Sequence, residues 1–385
     1  MKEARQIVEE LNKKLKADVF AVASDLPEIV KVSTGLYSLD MQTGGGLPLG
    51  MPILLSGKKS TSKSAFCYYM AGQCIEQRGG FAQIVQAEPG FDIRWAEKCG
   101  LPAKDTVYTE ASSLAATLDT IIYILKNEKP SCLILDSLSA IPADPENNAS
   151  DSKSRGERAI PSNNFFRRLG YAIDRDDPPL IVFIEHLYQN VGGMPYEPKY
   201  ITTGGETKGY MAVLEIRFSN TKMLKGVMET DAGEIEIPVE ATVGWTIQKG
   251  KTCPKGGNGT FSIGLIDTDI VKAGEITDYD ELLNIATMIG AVKKAGAWFS
   301  YGEEKVQGIG GLRQKLSRDD LFNIVSAKRQ ELRGECSEDA GGENSACVGG
   351  DTGVKRGRKN KKTSGGVQVN AEETDISEEG VAPEN

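Results

Sequence analysis

The run Gly57-Lys58-Lys59-Ser60-Thr61-Ser62-Lys63-Ser64 sets a glycine, a lysine and a hydroxyl at the spacing that binds phosphate. In the pattern G-x-x-x-x-G-K-[ST], backbone N–H groups and the positive end of the next helix cradle the phosphates. The lysine reaches the β- and γ-phosphates, and the hydroxyl holds Mg²⁺. Gly57, Lys63 and Ser64 match, but Ser62 occupies the place of the second glycine. A side chain there strains or narrows the loop. The expected ligands are ATP and Mg²⁺, held by Gly57, Lys58, Lys59, Ser60, Thr61, Ser62, Lys63, Ser64 and Ala65. An ordinary Ser/Lys-rich turn before a helix would carry similar letters, so the rest of the chain must decide.

Such a ligand needs carboxylates. Phe81 to Val85 reads as a strand and leads to Glu88, which at a strand end could polarise a water for attack on the γ-phosphate. Cys132 to Leu135 is an apolar strand ending in Asp136, the form that presents one carboxylate to Mg²⁺. A helix-capping aspartate gives the same local sequence. Leu180 to Ile184 is another buried strand, and it ends in Glu185-His186, the only histidine. A lone histidine is commonly structural, yet at this strand end it could sense the γ-phosphate. Trp95 could stack on adenine, with a place in the core as the plainer reading.

Residues 141–164 are polar and turn-rich and carry Arg155 and Arg158, which read as solvated charges. Leu187 to Gly205 is rich in glycine, proline and tyrosine, a length of loop that is functional or disordered in compact domains. Tyr188, Tyr196 and Tyr200 could stack on bases, with Lys208 just beyond. A plain surface loop explains the same residues.

These side chains need elements to hold them. The apolar strands alternate with helix-like runs, which predicts an α/β fold. Residues 2–16 have the spacing of an amphipathic helix that either covers its own core or docks on a neighbouring subunit. Val19 to Ala23 reads as a strand, as do Leu214 to Phe218 and Ala241 to Gln248, the last ending at Lys249 and Lys251. Residues 278–295 are helical in pattern, and Ser317 with Asp320 resembles a capping box before another helix. From Gly334 the apolar content falls away, which predicts a disordered charged tail.

The net charge of −9 means that any DNA site must be a local basic patch. Seven cysteines without a C-x-x-C pair exclude a zinc knuckle and a disulfide framework, and suit a reducing compartment. No apolar run suggests a signal peptide or a membrane span, so a cytoplasmic protein without membrane partners is expected.

Taken in order, these blocks resemble the RecA family of homologous-recombination ATPases. The first block runs from Ser33-Thr34-Gly35 through Ser38-Leu39-Asp40 and Gly45-Gly46-Leu47-Pro48 into the phosphate loop. The second runs from Ala87-Glu88 through Asp92 to Lys98-Cys99-Gly100, and the third from Lys294 to Tyr301 with Gly302-Glu303-Glu304-Lys305 behind it. The resemblance covers about residues 1–330. It implies a RecA-type ATPase core with a mostly parallel twisted sheet, an N-terminal polymerisation helix and a small C-terminal α/β domain. The implied division is 1–31 for polymerisation, 32–269 for the core, 270–334 for the small domain and 335–385 for the tail.

The resemblance also implies roles. Glu88 would activate water, Ser64 and Asp136 would hold Mg²⁺, and Asp92 and Trp95 would lie by the adenine. His186 stands where the bacterial proteins have glutamine, the residue coupling the γ-phosphate to a DNA loop. Lys249 and Lys251 match a pair that reaches ATP across a subunit interface. The segments near 145–160 and 187–205 would line a filament axis and hold single-stranded DNA, with double-stranded DNA as a second partner. Ser62 and His186 depart from the bacterial pattern and look more like a phage-encoded recombinase. The competing expectations are a hexameric helicase on the same core and a nucleotide-gated DNA-binding filament that does not hydrolyse ATP.

Overall fold

The computed structural model describes residues 3–16, 19–141, 154–190, 200–202, 209, 211–230, 233–268 and 270–338. The chain divides into two units, Met1–Glu335 and Cys336–Asn385. Every element below belongs to the first unit, apart from the end of the last helix.

Helix α1 (Ala4–Leu15) buries none of its residues, and Ile7 and Leu15 are 44% and 56% exposed. The option that it covers its own core is therefore set aside. The strand expected at 19–23 does not form. Residues 19–22 are extended without a partner strand, and Ala23–Asp25 is a 3-10 turn. Val19 is 71% exposed, so nothing within the chain rewards its β-forming residues. Strand β1 (Lys31–Val32) pairs antiparallel with β2 (Leu47–Pro48) across helix α2 (Tyr37–Thr43).

The α/β core follows as β3 (Pro52–Gly57), α3 (Lys63–Arg78), β4 (Ala82–Gln86), α4 (Ile93–Lys98), β5 (Thr106–Glu110), α5 (Leu114–Asn127), β6 (Cys132–Asp136), α6 (Ser154–Ala172) and β7 (Leu180–Gln189). It continues with β8 (Tyr200–Thr202), β9 (Leu214–Thr230), β10 (Gly233–Gly250), β11 (Asn258–Gly264) and β12 (Ile276–Thr277). They form a ten-stranded sheet in the order β12-β11-β10-β9-β3-β7-β6-β4-β5, with β8 on β7. Strands β9, β3, β7, β6, β4 and β5 run parallel. The long hydrophobic strands follow from this, because a parallel sheet is covered on both faces.

Alternation along β3 shows the layering. Ile53 and Leu55 join Phe66 and Met70 of α3 on one face. Leu54 joins Leu118 and Ile121 of α5 and Phe165 and Phe166 of α6 on the other. Phe66 meets the rings of Phe218 and Phe261 at centroid distances of 5.1 and 5.6 Å. Truncating a ring so placed to alanine costs about 3–5 kcal/mol.

The structure extends or shortens several expected elements. The segment 141–164 is not all turn, since α6 begins at Ser154. The loop expected from Leu187 is strand as far as Gln189, and Tyr200–Thr202 pairs back onto Leu187–Gln189. The strands at 214–218 and 241–248 are the inner parts of a long hairpin, β9 with β10. Its outer residues, such as Met223 and Leu224, are exposed, so no burial pattern marks them as strand.

A third apolar cluster contains Leu282, Val292, Phe299, Val306, Leu312 and Leu321. It draws on α7 (Tyr279–Met288), the sheet β13 (Lys293–Ala295), β14 (Trp298–Tyr301) and β15 (Glu304–Gln307), α8 (Ile309–Lys315) and α9 (Arg318–Glu338). The helix expected over 278–295 stops at Met288, and Lys293–Ala295 pairs with Trp298–Ser300 instead. Ser317 and Asp320 do form a capping box: Ser317 Oγ donates to Asp320 Oδ2 at 2.6 Å and accepts from the Asp320 N–H at 3.1 Å. The buried Arg313 ties this cluster to the large sheet, donating to Glu240 at 2.7 Å and to Asp280 at 2.7 Å.

Candidate active site

Strand register decides which side chains can meet. Gly57 lies beside His186 across β3 and β7. Gln86 lies beside Asp136 across β4 and β6, and Glu88 is just past that pair. All four strands are parallel, so their carboxyl ends share one edge of the sheet. That edge is where open α/β sheets bind ligands.

The loop from Gly57 to Ser62 turns there into α3. A Cβ on Gly57 would lie 2.6 Å from Thr61 Oγ1 and 2.9 Å from the Phe218 carbonyl oxygen, so glycine is required. Ser62 caps the helix with φ 58°, and Ser60 also has φ 58°. Both are left-handed positions that cost a residue with a Cβ about 1–2 kcal/mol. The loop therefore takes the shape a glycine would give, with strain at the position where the sequence departs from the phosphate-loop pattern.

Lys63 is buried, and its Nζ donates to the carbonyl oxygens of Gly57 at 3.2 Å and Lys58 at 2.7 Å. Burial lowers its pKa, while Asp136 and Glu88 hold it up. Ser64 Oγ donates to Asp136 Oδ2 at 2.5 Å. Asp136 is only 3% exposed, and burial raises its carboxyl pKa against the Ser64 hydrogen bond. The Asp136–Ser137 peptide bond is cis.

Glu88 Oε1 accepts from Ser137 Oγ at 2.5 Å and lies 2.5 Å from His186 Nε2. Burial pushes the Glu88 carboxyl up, but the bonds from Ser137 and His186, with the charges of His186 and Lys63, together bring it below the usual range. An ionised carboxylate only accepts, so Nε2 of His186 carries the proton in that bond. Nδ1 of His186 is buried without a hydrogen-bond partner in the structure. Ser139 Oγ accepts the His186 N–H at 3.2 Å and lies 3.2 Å from Ser137 Oγ. Sequence reasoning missed Ser137 and Ser139, although Asp136-Ser137-Leu138-Ser139 displays the hydroxyls directly after the strand.

The loop, Lys63, Ser64, Glu88 and His186 line one open cleft of about 670 Å³, within the usual range for a ligand site. Trp95 and Tyr188 also line it. Asp92 instead caps α4, accepting the Arg94 N–H at 2.9 Å. Tyr200 lies under the Lys58 ammonium, 4.8 Å from ring centre to Nζ. Arg155 and Arg158 fall in α6, but their side chains, like Tyr196 and Lys208, lie outside the described residues.

Magnesium triphosphate fits this donor set. Ser64 and Asp136 supply one hydroxyl and one carboxylate, and Lys63 supplies a buried cation. Among the described residues no group of three or more His, Cys, Asp or Glu could hold a metal alone. Mg²⁺ characteristically binds through one or two carboxylates plus substrate phosphates.

Lys249 and Lys251 are elsewhere. Lys249 lies across from Glu215, and Gly250 across from Leu214, which faces Ile53 near the start of β3. The phosphate loop leaves the other end, by Phe218. At about 3.3 Å per residue, that separates the pair from it by about 13 Å along the strand. Lys249 donates to the Gly209 carbonyl, and burial and the neighbouring Lys251 charge lower its pKa.

Cys67, Cys74, Cys99, Cys132 and Cys253 are free thiols. Among the described residues no helix is long and apolar enough to cross a membrane.

The family model for the RecA N-terminal domain matches residues 2–243. The chain is 28% identical over 338 residues to Protein RecA of Chloroherpeton thalassium, covering 86% of this chain and 89% of that one. It is 26% identical over 340 residues to Protein RecA of Chlorobaculum parvum, covering 86% and 92%. It is 26% identical over 314 residues to Protein RecA of Geobacter sulfurreducens, covering 80% and 87%.

Proposed function

Because the chain belongs to the RecA family, we propose that it is an ATP-dependent recombinase acting in the cytoplasm. It assembles as a filament on single-stranded DNA, pairs it with homologous duplex and exchanges strands. DNA stimulates its hydrolysis of ATP to ADP and phosphate. What supports this most is the meeting of Lys63, the Ser64–Asp136 pair and the Glu88–His186 pair at the carboxyl edge of the parallel sheet.

In this reading the loop from Gly57 to Ala65 wraps the phosphates, and Lys63 exchanges its carbonyl partners for phosphate oxygens. Ser64 and Asp136 hold Mg²⁺, which neutralises charge on the phosphates when bound. Glu88 orients a water and accepts its proton, a task suited to a carboxylate kept ionised. Ser137 and His186 fix the direction in which Glu88 points. Trp95 packs by the adenine, with Asp92 shaping the helix that carries it.

His186 and Tyr188 both lie in β7, two residues apart, so one strand carries a cleft residue and a residue assigned to DNA. Arg155, Arg158, Tyr188, Tyr196, Tyr200 and Lys208 are assigned to DNA. Lys249 and Lys251 serve the ATP of an adjoining subunit, and α1 packs on that neighbour. Residues 1–31, 32–269, 270–334 and 335–385 act as polymerisation segment, ATPase core, small C-terminal domain and charged tail. ATP binding closes the seam between subunits and hydrolysis loosens it.

The test is strand exchange between a circular single strand and a homologous linear duplex, with ATP, using the full chain and its Lys63→Ala variant. Exchange by the parent and none by the variant is expected. A parent protein that neither hydrolyses ATP with single-stranded DNA nor exchanges strands overturns the assignment.

A further inference from the structure

Lys58 ties the phosphate loop to a neighbouring strand. Its carbonyl oxygen accepts from Lys63 Nζ at 2.7 Å and from Thr61 Oγ1 at 2.9 Å, so its backbone is part of the phosphate loop's own lattice. Its ammonium lies over the Tyr200 ring at 4.8 Å. Tyr200 belongs to β8 and faces Gln189 of β7 in register. The preceding residue of β7, Tyr188, lines the same cleft as the loop. The β7–β8 ribbon thus borders the phosphate site at Tyr188 and is tied to it at Tyr200.

We propose that the Lys58–Tyr200 contact is a latch through which nucleotide occupancy acts on the β7–β8 ribbon, a role for these two residues beyond the phosphate and DNA contacts assigned to them above. The proposal rests on the reading of the cleft as an ATP site and of the ribbon as part of the DNA surface. Two physical effects point the same way. A triphosphate draws Lys63 Nζ toward its oxygens, which removes a donor from the Lys58 carbonyl. The same negative charge competes with the ring for the Lys58 ammonium, since a phosphate attracts a cation more strongly than an aromatic quadrupole at an exposed site. Both effects loosen the hold on Tyr200 when nucleotide arrives. The empty loop keeps the ribbon latched, and the filled loop frees it to adapt to a polynucleotide. This is a population shift in which the Lys58–Tyr200 contact differs between the two states.

The contact is exposed, and the strength of such contacts sets the scale. Breaking the latch should change the balance between ribbon states about two- to fivefold. The experiment measures affinity of the full chain for a fluorescent oligo-dT, without nucleotide and with saturating non-hydrolysable ATP analogue. The quantity read is the ratio of the two affinities. Tyr200→Leu and Lys58→Met should each raise nucleotide-free affinity relative to the saturated value, lowering the ratio about two- to fivefold. Tyr200→Phe keeps the ring face and should keep the ratio. The double variant should lose no more than either single one, because both remove the same contact.

Ratios unchanged in Tyr200→Leu and Lys58→Met overturn the latch, as does additive loss in the double variant. Equal loss in Tyr200→Phe and Tyr200→Leu overturns it too, by assigning the effect to the hydroxyl. Nucleotide binding is followed separately with a fluorescent ATP analogue. A parent protein that fails to bind it contradicts the ATP reading itself. A parent that binds it and shows the nucleotide-dependent ratio, beside variants that also keep that ratio, contradicts only the latch.

Discussion

Where β3, β4, β6 and β7 finish, Lys63, Ser64, Glu88 and His186 line one cleft, with Asp136 bonded to Ser64 and Glu88 paired with His186. Where β3 begins, Lys249 and Lys251 follow the end of β10, at a surface the phosphate loop of the same chain does not approach. Both ends are made by the same sheet and both present buried or half-buried lysine. The first is self-contained, with carboxylates to balance Lys63. At the second, burial first and the like charge of Lys251 next lower the Lys249 pKa. The Glu215 charge works the other way, and the Lys249 ammonium also donates to the Gly209 carbonyl. In the proposed function the first end is the acceptor of triphosphate and the second the donor of charge to a triphosphate on a neighbouring subunit.

Breaking the acceptor end should have the largest effect. Glu88→Gln should lower DNA-stimulated ATP turnover about 10²–10⁴-fold, as loss of a general base does, with nucleotide affinity kept within about threefold. A phosphate-release assay beside an equilibrium nucleotide titration separates the two. At the donor end, Lys249→Ala should lower turnover in filaments by about 10²–10³-fold, in the manner of a charge supplied in trans. It should leave nucleotide binding to isolated protomers unchanged, because the lysine is remote from that chain's own loop.

Smaller changes sharpen the picture of the acceptor end. Ser62→Gly removes the left-handed penalty and should stabilise the protein by about 1 kcal/mol in urea unfolding. The two carboxylates should respond to pH with opposite sign. The raised Asp136 pKa means that its ionised form is penalised on folding, so the wild type is relatively more stable in acid and loses this as pH rises through the folded pKa. Asp136→Asn should therefore raise Tm near pH 7 by about 1–3 °C, with the gain vanishing in acid, while Mg²⁺-dependent turnover collapses. The lowered Glu88 pKa works the other way. Its stabilisation is present above the unfolded carboxylate value and is lost as pH falls through the folded one. Glu88→Gln should lower Tm at pH 7, and melting curves over pH 3–7 should converge at the acid end.

The α/β class was readable because buried parallel strands spell themselves as apolar runs, such as Ile53 to Leu55, Cys132 to Leu135 and Leu180 to Ile184. The phosphate-loop setting was readable for the same reason, since Gly57, Lys63 and Ser64 sit between such a strand and a helix. The bond partners of Glu88 were not. Ser137 reaches it because β6 lies beside β4, and His186 because β7 lies beside β6, facts of tertiary order that no local spacing encodes. The outer half of the β9–β10 hairpin was missed because Met223, Leu224 and Ile235 are exposed, so its alternation does not separate inside from outside. The strand expected at 19–23 failed for the complementary reason, as Val19 and Phe20 have the right propensity but no partner strand here.

In the proposed filament each working ATP site unites the acceptor end of one protomer with the donor end of the next. Mixing Lys63→Ala protein with Lys249→Ala protein on single-stranded DNA tests this directly, since each variant alone should be inactive. Random assembly should restore about a quarter of the parent's ATP turnover, the chance that an intact loop meets an intact lysine at a head-to-tail interface. Turnover that stays at the level of the separate variants at every mixing ratio would contradict the claim.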